Sequence, residues 1–186
     1  KRLIGGLLKA TDESRVLGNV PVEFINLYKD EFESIIKKPG LSLYTNLATS
    51  AQVSGLYYWL DQNVIIAVSG NKVFKIQVSD GTYVDVTGDA PQGNSPATFA
   101  LIGSILVIAT GGRMVKLGLT GNTAYISDTD APTNVTHVAT LDTYLIANKV
   151  GTNQFQFSAP GNVESWNGLD FASAESSPDI IVALTV

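Results

Sequence analysis

Residues 64–91 read VIIAVSGNKVFKIQVSDGTYVDVTGDAP, and residues 105–132 read ILVIATGGRMVKLGLTGNTAYISDTDAP. Laid over each other they match without a gap. Gly70 meets Gly111, Lys75 meets Lys116, Thr82 meets Thr123, and Asp89-Ala90-Pro91 meets Asp130-Ala131-Pro132. Between the identities, apolar positions fall on apolar ones. A repeat of about 41 residues lies within the range of four-stranded units stacked around an axis. A weaker third copy follows: Leu141-Asp142 takes the place of Leu60-Asp61, YLIANKV (144–150) that of VIIAVSG, and NQFQFS (153–158) that of KVFKIQVS.

Each copy reads as four short strands, in the first LYYWL, NVIIAVS, KVFKIQV and TYVDV. The last two alternate apolar and polar residues, as half-buried strands do. VIIAV and ILVIA do not alternate, which predicts strands buried on both faces. Gly70-Asn71 and Gly111-Gly112 are residue types that accept positive φ, so both are predicted hairpin turns. The fold class that follows is all-β, with β-propeller-type four-stranded repeats behind an N-terminal arm; a β-sandwich with similar hairpins is the alternative. The WD and kelch signatures are absent. The expected organisation is an arm and linker over 1–54 and blades over about 55–94, 95–134 and 135–180. Three blades are fewer than the 4–8 that close a ring, and Ile180–Val186 is an uncapped apolar run. The propeller is therefore expected to be incomplete in this chain and to continue beyond 186.

Outward from the repeats the chain changes character. Up to Gly40 basic residues slightly outnumber acidic ones, and from Leu41 onward acidic residues dominate. KDEFESIIKK (29–38) has helix-like spacing and is expected to be a short helix or a charged loop ended by Pro39-Gly40. Leu3–Leu8 is short and broken by Gly5-Gly6, so it reads as an arm or strand, not a signal sequence. No apolar run reaches the ~20 residues of a membrane span.

The 186 residues include no cysteine and one histidine, with a net charge of −5. These exclude disulfides, zinc-thiolate sites, Cys nucleophiles and multi-His metal centres. They also disfavour a broad phosphate-gripping face. No phosphate-loop, dinucleotide, nucleophile-elbow or zincin motif occurs, which removes the common nucleotide, hydrolase and metalloprotease readings and leaves paired carboxylates for glycoside cleavage open; the expectation is a non-enzyme with no cofactor. His137 reads as structural or surface. Asp80, Asp85, Asp89, Asp128 and Asp130 read as turn caps in preference to calcium ligands. Tyr57, Tyr58, Trp59, Phe74, Phe99, Phe155, Phe157 and Trp166 mostly lie in predicted strands and are expected to pack within or between blades.

Two segments carry a more specific signal. The first has the skeleton Asn26-Leu27-Tyr28, a charged stretch, then Pro39-Gly40-Leu41. The second is Trp166 to Glu175, with Leu169-Asp170-Phe171, followed by Ser177-Pro178-Asp179-Ile180. Together they resemble the packaged-DNA stabilisation proteins, or tail hub and nozzle proteins, of short-tailed phages, over about residues 22–186. The resemblance implies a structural virion protein below the portal and its adaptor ring, which closes the channel on packaged DNA and later conducts its ejection. It implies self-assembly into a ring, expected to be a hexamer. The implied partners are the adaptor ring, a tail needle or plug, and tail fibres or spikes. DNA passes without sequence-specific binding, and no membrane is involved. The implied location is the virion tail, assembled in the bacterial cytoplasm. For Trp166–Asp179 two roles stay open. In one, Trp166 and Phe171 fill the gap between blades while Glu175 and Asp179 cap turns. In the other, the segment is a loop that docks a partner. The competing function is a propeller that binds or cleaves a surface polysaccharide.

Overall fold

The computed structural model describes residues 27–29, 35–37, 40, 42–174 and 179–184. The chain forms two compact units, Lys1–Leu43 and Tyr44–Val186. In the first, β1 (Leu27–Lys29) pairs antiparallel with β2 (Ile35–Lys37), Leu27 opposite Lys37. Residues 35–37 of the stretch 29–38 are therefore strand, whereas residues 30–34 and 38 lie outside the described residues. Pairs spaced for a helix contribute only ~0.2–0.5 kcal/mol each, and the β-branched Ile35-Ile36 prefer an extended chain.

The second unit is three antiparallel four-stranded sheets, each a meander in chain order. Sheet one is β3 (Val53–Trp59), β4 (Val64–Ser69), β5 (Lys72–Gln77) and β6 (Tyr83–Asp85). Sheet two is β7 (Thr98–Ile102), β8 (Ile105–Ala109), β9 (Val115–Leu117) and β10 (Ala124–Tyr125). Sheet three is β11 (Val138–Leu141), β12 (Tyr144–Asn148), β13 (Gln154–Ala159) and β14 (Asn162–Ser173).

The turns show how the repeat is read by the backbone. Ser69 faces Lys72 across Gly70-Asn71, and only Gly70 takes positive φ, at 58°. That is the pattern of a turn with glycine at its first central position, so Asn71 needs no left-handed conformation. In sheet two the register of β8 on β9 centres on Gly111-Gly112, and again only the first glycine is left-handed, at 104°. Pairing there stops at Ile108 and Val115, because the glycines turn to the linker: the Gly111 N–H donates to the Val135 carbonyl, and the Val135 N–H to that of Gly112.

The strands that do not alternate serve two cores. Leu106 and Ile108 of β8 face sheet one, where they pack with Trp59, Val64, Ile66, Val68 and Val73. Val107 and Ala109 of the same strand face sheet three, with Met114, Leu145, Ala147, Val163 and Trp166. Each face excludes water, so no polar position is left for alternation. The far face of sheet one is closed by the chain that leads into it. Leu47 packs on Ala67, Phe74 and Ile76, and the Tyr44 hydroxyl lies 2.9 and 2.7 Å from the carbonyl oxygens of Gln77 and Val78.

One polar device recurs where each second strand ends. The Ser69 hydroxyl donates to the Ala51 carbonyl at 2.8 Å, and the Thr110 hydroxyl to that of Gln92 at 2.6 Å. In sheet three Asn148 replaces the hydroxyl; its Oδ1 accepts the backbone N–H groups of Thr136 and His137 at 3.0 and 2.9 Å. All three side chains are buried. Each ties the strap that enters a sheet to that sheet's second strand, and a buried polar group is tolerated because it is paired.

Candidate interaction surfaces

The far face of sheet three remains open. It presents Leu141, Tyr144 and Ile146 with Phe155 and Phe157 of β13, around a shallow hollow of about 290 Å³. The rings of Tyr144 and Phe157 meet edge-on with centroids 6.0 Å apart. Register explains the composition. Leu145 and Ala147 point to the core shared with sheet two, so Tyr144 and Ile146 occupy the face that in sheet two holds Ile105 and Val107. Tyr144 is 38% exposed, whereas Val107 is 0% exposed.

A second surface lies along β14. The outer strands of sheets one and two have three and two residues, but β14 has 12. Its pairing with β13 breaks: Ser158 faces Trp166 while Gln156 faces Phe171. Residues 167–170 therefore swell outward as a bulge, Leu169 82% exposed and Phe171 44% exposed. Side-chain oxygens occupy several β14 amides. The Glu164 N–H donates to Asn162, the Trp166 N–H to Asp128, and the Leu169 N–H to Asn167.

The seam between sheets two and three is polar at its outer end. The Glu164 carboxylate accepts from the Ser127 N–H at 2.8 Å and hydroxyl at 2.6 Å, and pairs with Lys116. Burial works against its charge, yet Lys116 and Ser127 hold the carboxyl below the usual range. Asp128 is lowered by the amides of Trp166 and Asp130. Asp80 is lowered by Thr82, and Asp85 by Thr87 and then Lys72. Asp80, Asp85 and Asp128 each accept the N–H two residues on, which is the turn-capping role of a short acidic side chain. Asp89 instead accepts the Tyr125 N–H in sheet two.

The two motif segments are only partly described. Asn26, Pro39, Leu41, Glu175 and Pro178 lie outside the described residues; Leu27 and Tyr28 are in β1, and Gly40 and Asp179 are exposed. Trp166 is buried between sheets two and three, its Nε1 donating to the Val163 carbonyl at 2.8 Å. Phe171 does not share that gap: the bulge rotates it to the surface. The segment holding Leu169, Asp170 and Phe171 is thus a strand edge, not a loop. The His137 ring nitrogen meets the Thr136 hydroxyl at 3.1 Å, inside the Asn148 clamp. The open face of sheet three escapes sequence reasoning because its residues look like any other buried strand; the signal available was that Tyr144 and Phe157 fall on one face of paired strands. Among the described residues no group of three or more His, Asp or Glu is placed to hold a metal ion, and no helix is long and apolar enough to cross a membrane.

Comparison with known proteins gives one family and a set of folds. The family model described as "Bacteriophage P22 Gp10, beta-propeller" matches residues 4–186. No curated protein matches. Among solved structures, the computationally designed Ika4 protein superposes with a TM-score of 0.56 at 13% identity, over 79% of this chain and 88% of that one. The computationally designed Ika8 protein gives 0.56 at 14% identity, over 89% of this chain and 51% of its own. At such identities the likeness is one of fold alone.

Proposed function

This chain belongs to the bacteriophage P22 Gp10 family of β-propeller proteins, and from that premise we propose that it works as the hub, or nozzle, of a short phage tail. In this reading it is a structural protein of the virion, not an enzyme. It sits below the portal and adaptor ring, closes the channel on packaged DNA, and later conducts that DNA outward. The family match over residues 4–186 is the observation that carries the proposal.

The physical chemistry is consistent with that task. Three sheets stacked through dry cores make a stiff body. A chain of pI about 4.7 repels phosphate, so DNA slides past without adhering. The open face of sheet three, equivalent to faces that bury a neighbouring sheet elsewhere in the molecule, is read as the place where a further sheet of the propeller packs. Ring assembly, expected to be hexameric, and docking of needle and fibres then use the surfaces that remain.

The test is to make particles without this protein and image them by electron microscopy. DNA-filled heads that lack tails and lose their DNA are the expected result. Normal tailed particles that keep their DNA would overturn it and bring the polysaccharide-binding reading forward.

A further inference from the structure

We propose that Asn167-Gly168 is a self-modification site, where the Asn167 side chain closes on the Gly168 backbone nitrogen as a succinimide and opens in water to aspartate or isoaspartate. The inference does not depend on the tail-hub reading. It rests on the chemistry of Asn167, Gly168 and Leu169, which the fold sets side by side on an exposed bulge.

Asn167-Gly168 is the one Asn-Gly pair in the sequence. Where the register of β13 on β14 shifts, residues 167–170 stand against Phe157 alone, and a bulge leaves its extra residues out of the ladder. Asn167 and Gly168 are both exposed, so reaction there opens no core. The electrophile is Cγ of Asn167. Its Oδ1 gains negative charge as nitrogen adds to Cγ, and that oxygen already accepts the Leu169 N–H at 3.1 Å. A donor held where charge develops lowers the barrier to such an addition. The nucleophile is the Gly168 nitrogen, and glycine lets the backbone turn toward the side chain at little steric cost. Among the described residues, a Cβ at 168 would meet only the Asp130 carboxylate, at 3.8 and 3.9 Å, so the space around this peptide unit is open.

The step balances with water as the only co-reactant. The Gly168 nitrogen bonds to Cγ, the Cγ–Nδ2 bond breaks, and ammonia leaves with the proton that the Gly168 nitrogen gives up. Water then adds to one of the two imide carbonyls and breaks its bond to nitrogen. Opening at the side-chain carbonyl gives aspartate. Opening at the main-chain carbonyl gives isoaspartate, which lengthens the backbone by a methylene. Either product adds a carboxylate to the segment that carries Asp170 and the exposed Leu169 and Phe171.

Two residues share the turn but not the rest. Asn162 Oδ1 accepts the Glu164 N–H at 3.0 Å in the same strand, but its neighbour Val163 is β-branched and 1% exposed in the core. Asp80 Oδ1 accepts the Thr82 N–H at 3.0 Å beside Gly81. There Thr82 holds the carboxyl below its usual range, so it is anionic and resists attack, and Gly81 is buried against the Tyr44 carbonyl.

The test holds the native chain at mildly alkaline pH and follows each asparagine by peptide-mapping mass spectrometry that separates aspartyl from isoaspartyl products. A synthetic peptide of residues 162–172 is run beside it. Asn167 is expected to convert ahead of Asn162, and about two- to tenfold faster in the folded chain than in the peptide, the rate equivalent of one net hydrogen bond. Gly168→Ala, which the open space accommodates, is expected to bring Asn167 down to the rate of Asn162. An unmodified Asn167, conversion of Asn162 at the same pace, or a folded-chain rate at or below that of the peptide would overturn the proposal.

Discussion

β8 and β12 are equivalent strands in neighbouring sheets, and they live in different surroundings. β8 is dry on both faces: Leu106 and Ile108 go into one core, Val107 and Ala109 into the other. β12 buries Leu145 and Ala147 on one side and shows Tyr144 and Ile146 on the other. The repeat has written the same apolar positions into both, but only one has a partner on each side. Among the described residues the face of β12 that carries Tyr144 stays partly exposed, whereas its counterpart face in β8 buries Val107 and Ala109. The opposite end of the stack makes the contrast sharper. There the strap through Tyr44 and Leu47 covers sheet one, as a terminal cap covers a repeat array.

The largest effect that distinguishes the two environments comes from truncation. Leu106→Ala, at a fully buried position, is expected to lose about 2–5 kcal/mol in denaturant unfolding. Ile146→Ala on the open face should lose less than half as much. Equal losses would mean that the face is not open in solution. Next come the clamps. Asn148→Ala strips two backbone donors of their acceptor and should cost about 1–3 kcal/mol. Ser69→Ala removes a single bond and should cost about 0.5–1.5 kcal/mol.

The seam between sheets two and three gives a pH dependence. The carboxyls of Glu164 and Asp128 are both held below their ordinary range. Groups lowered on folding stabilise the native state above their unfolded pKa, and that stability is lost as pH falls through the folded value. The thermal midpoint should therefore be flat near neutrality and fall below pH of about 4. Glu164→Gln should weaken the chain at pH 7 by about 1–2 kcal/mol and make the acid side of the curve shallower. An unchanged curve would remove Glu164 from the seam. The smallest effect is expected on the β14 bulge. Leu169→Ser should change stability by no more than about 0.5 kcal/mol, because the side chain is already in water.

Much of this architecture is legible in the chain. Gapless apolar matching between 64–91 and 105–132 carries the sheets, and the unalternating VIIAV and ILVIA carry the burial on two faces. What sequence misread is local. Ile35 and Ile36 belong to a helically spaced stretch, but at three residues of β-branched and basic character the pairing of β2 with β1 prevails; Glu31 and Phe32 of that stretch lie outside the described residues. One of the two roles open for Trp166–Asp179 puts Phe171 between the sheets beside Trp166, but Phe171 is exposed. A bulge of the kind at 167–170 moves everything after it to a new phase, and no local residue pattern announces it beyond Asn167-Gly168. The clamps were also hidden, since Ser69, Thr110 and Asn148 share a position but not a residue type.

The most direct test of the central claim, that sheet three carries an interface needed for a structural role in the virion, is complementation with Tyr144→Asp. Its product is purified for unfolding and also supplied to particles that lack the native protein. The account predicts a folded, soluble chain with a thermal midpoint close to the native one, and heads that fail to keep their DNA. Tailed, DNA-filled particles from that variant would contradict it.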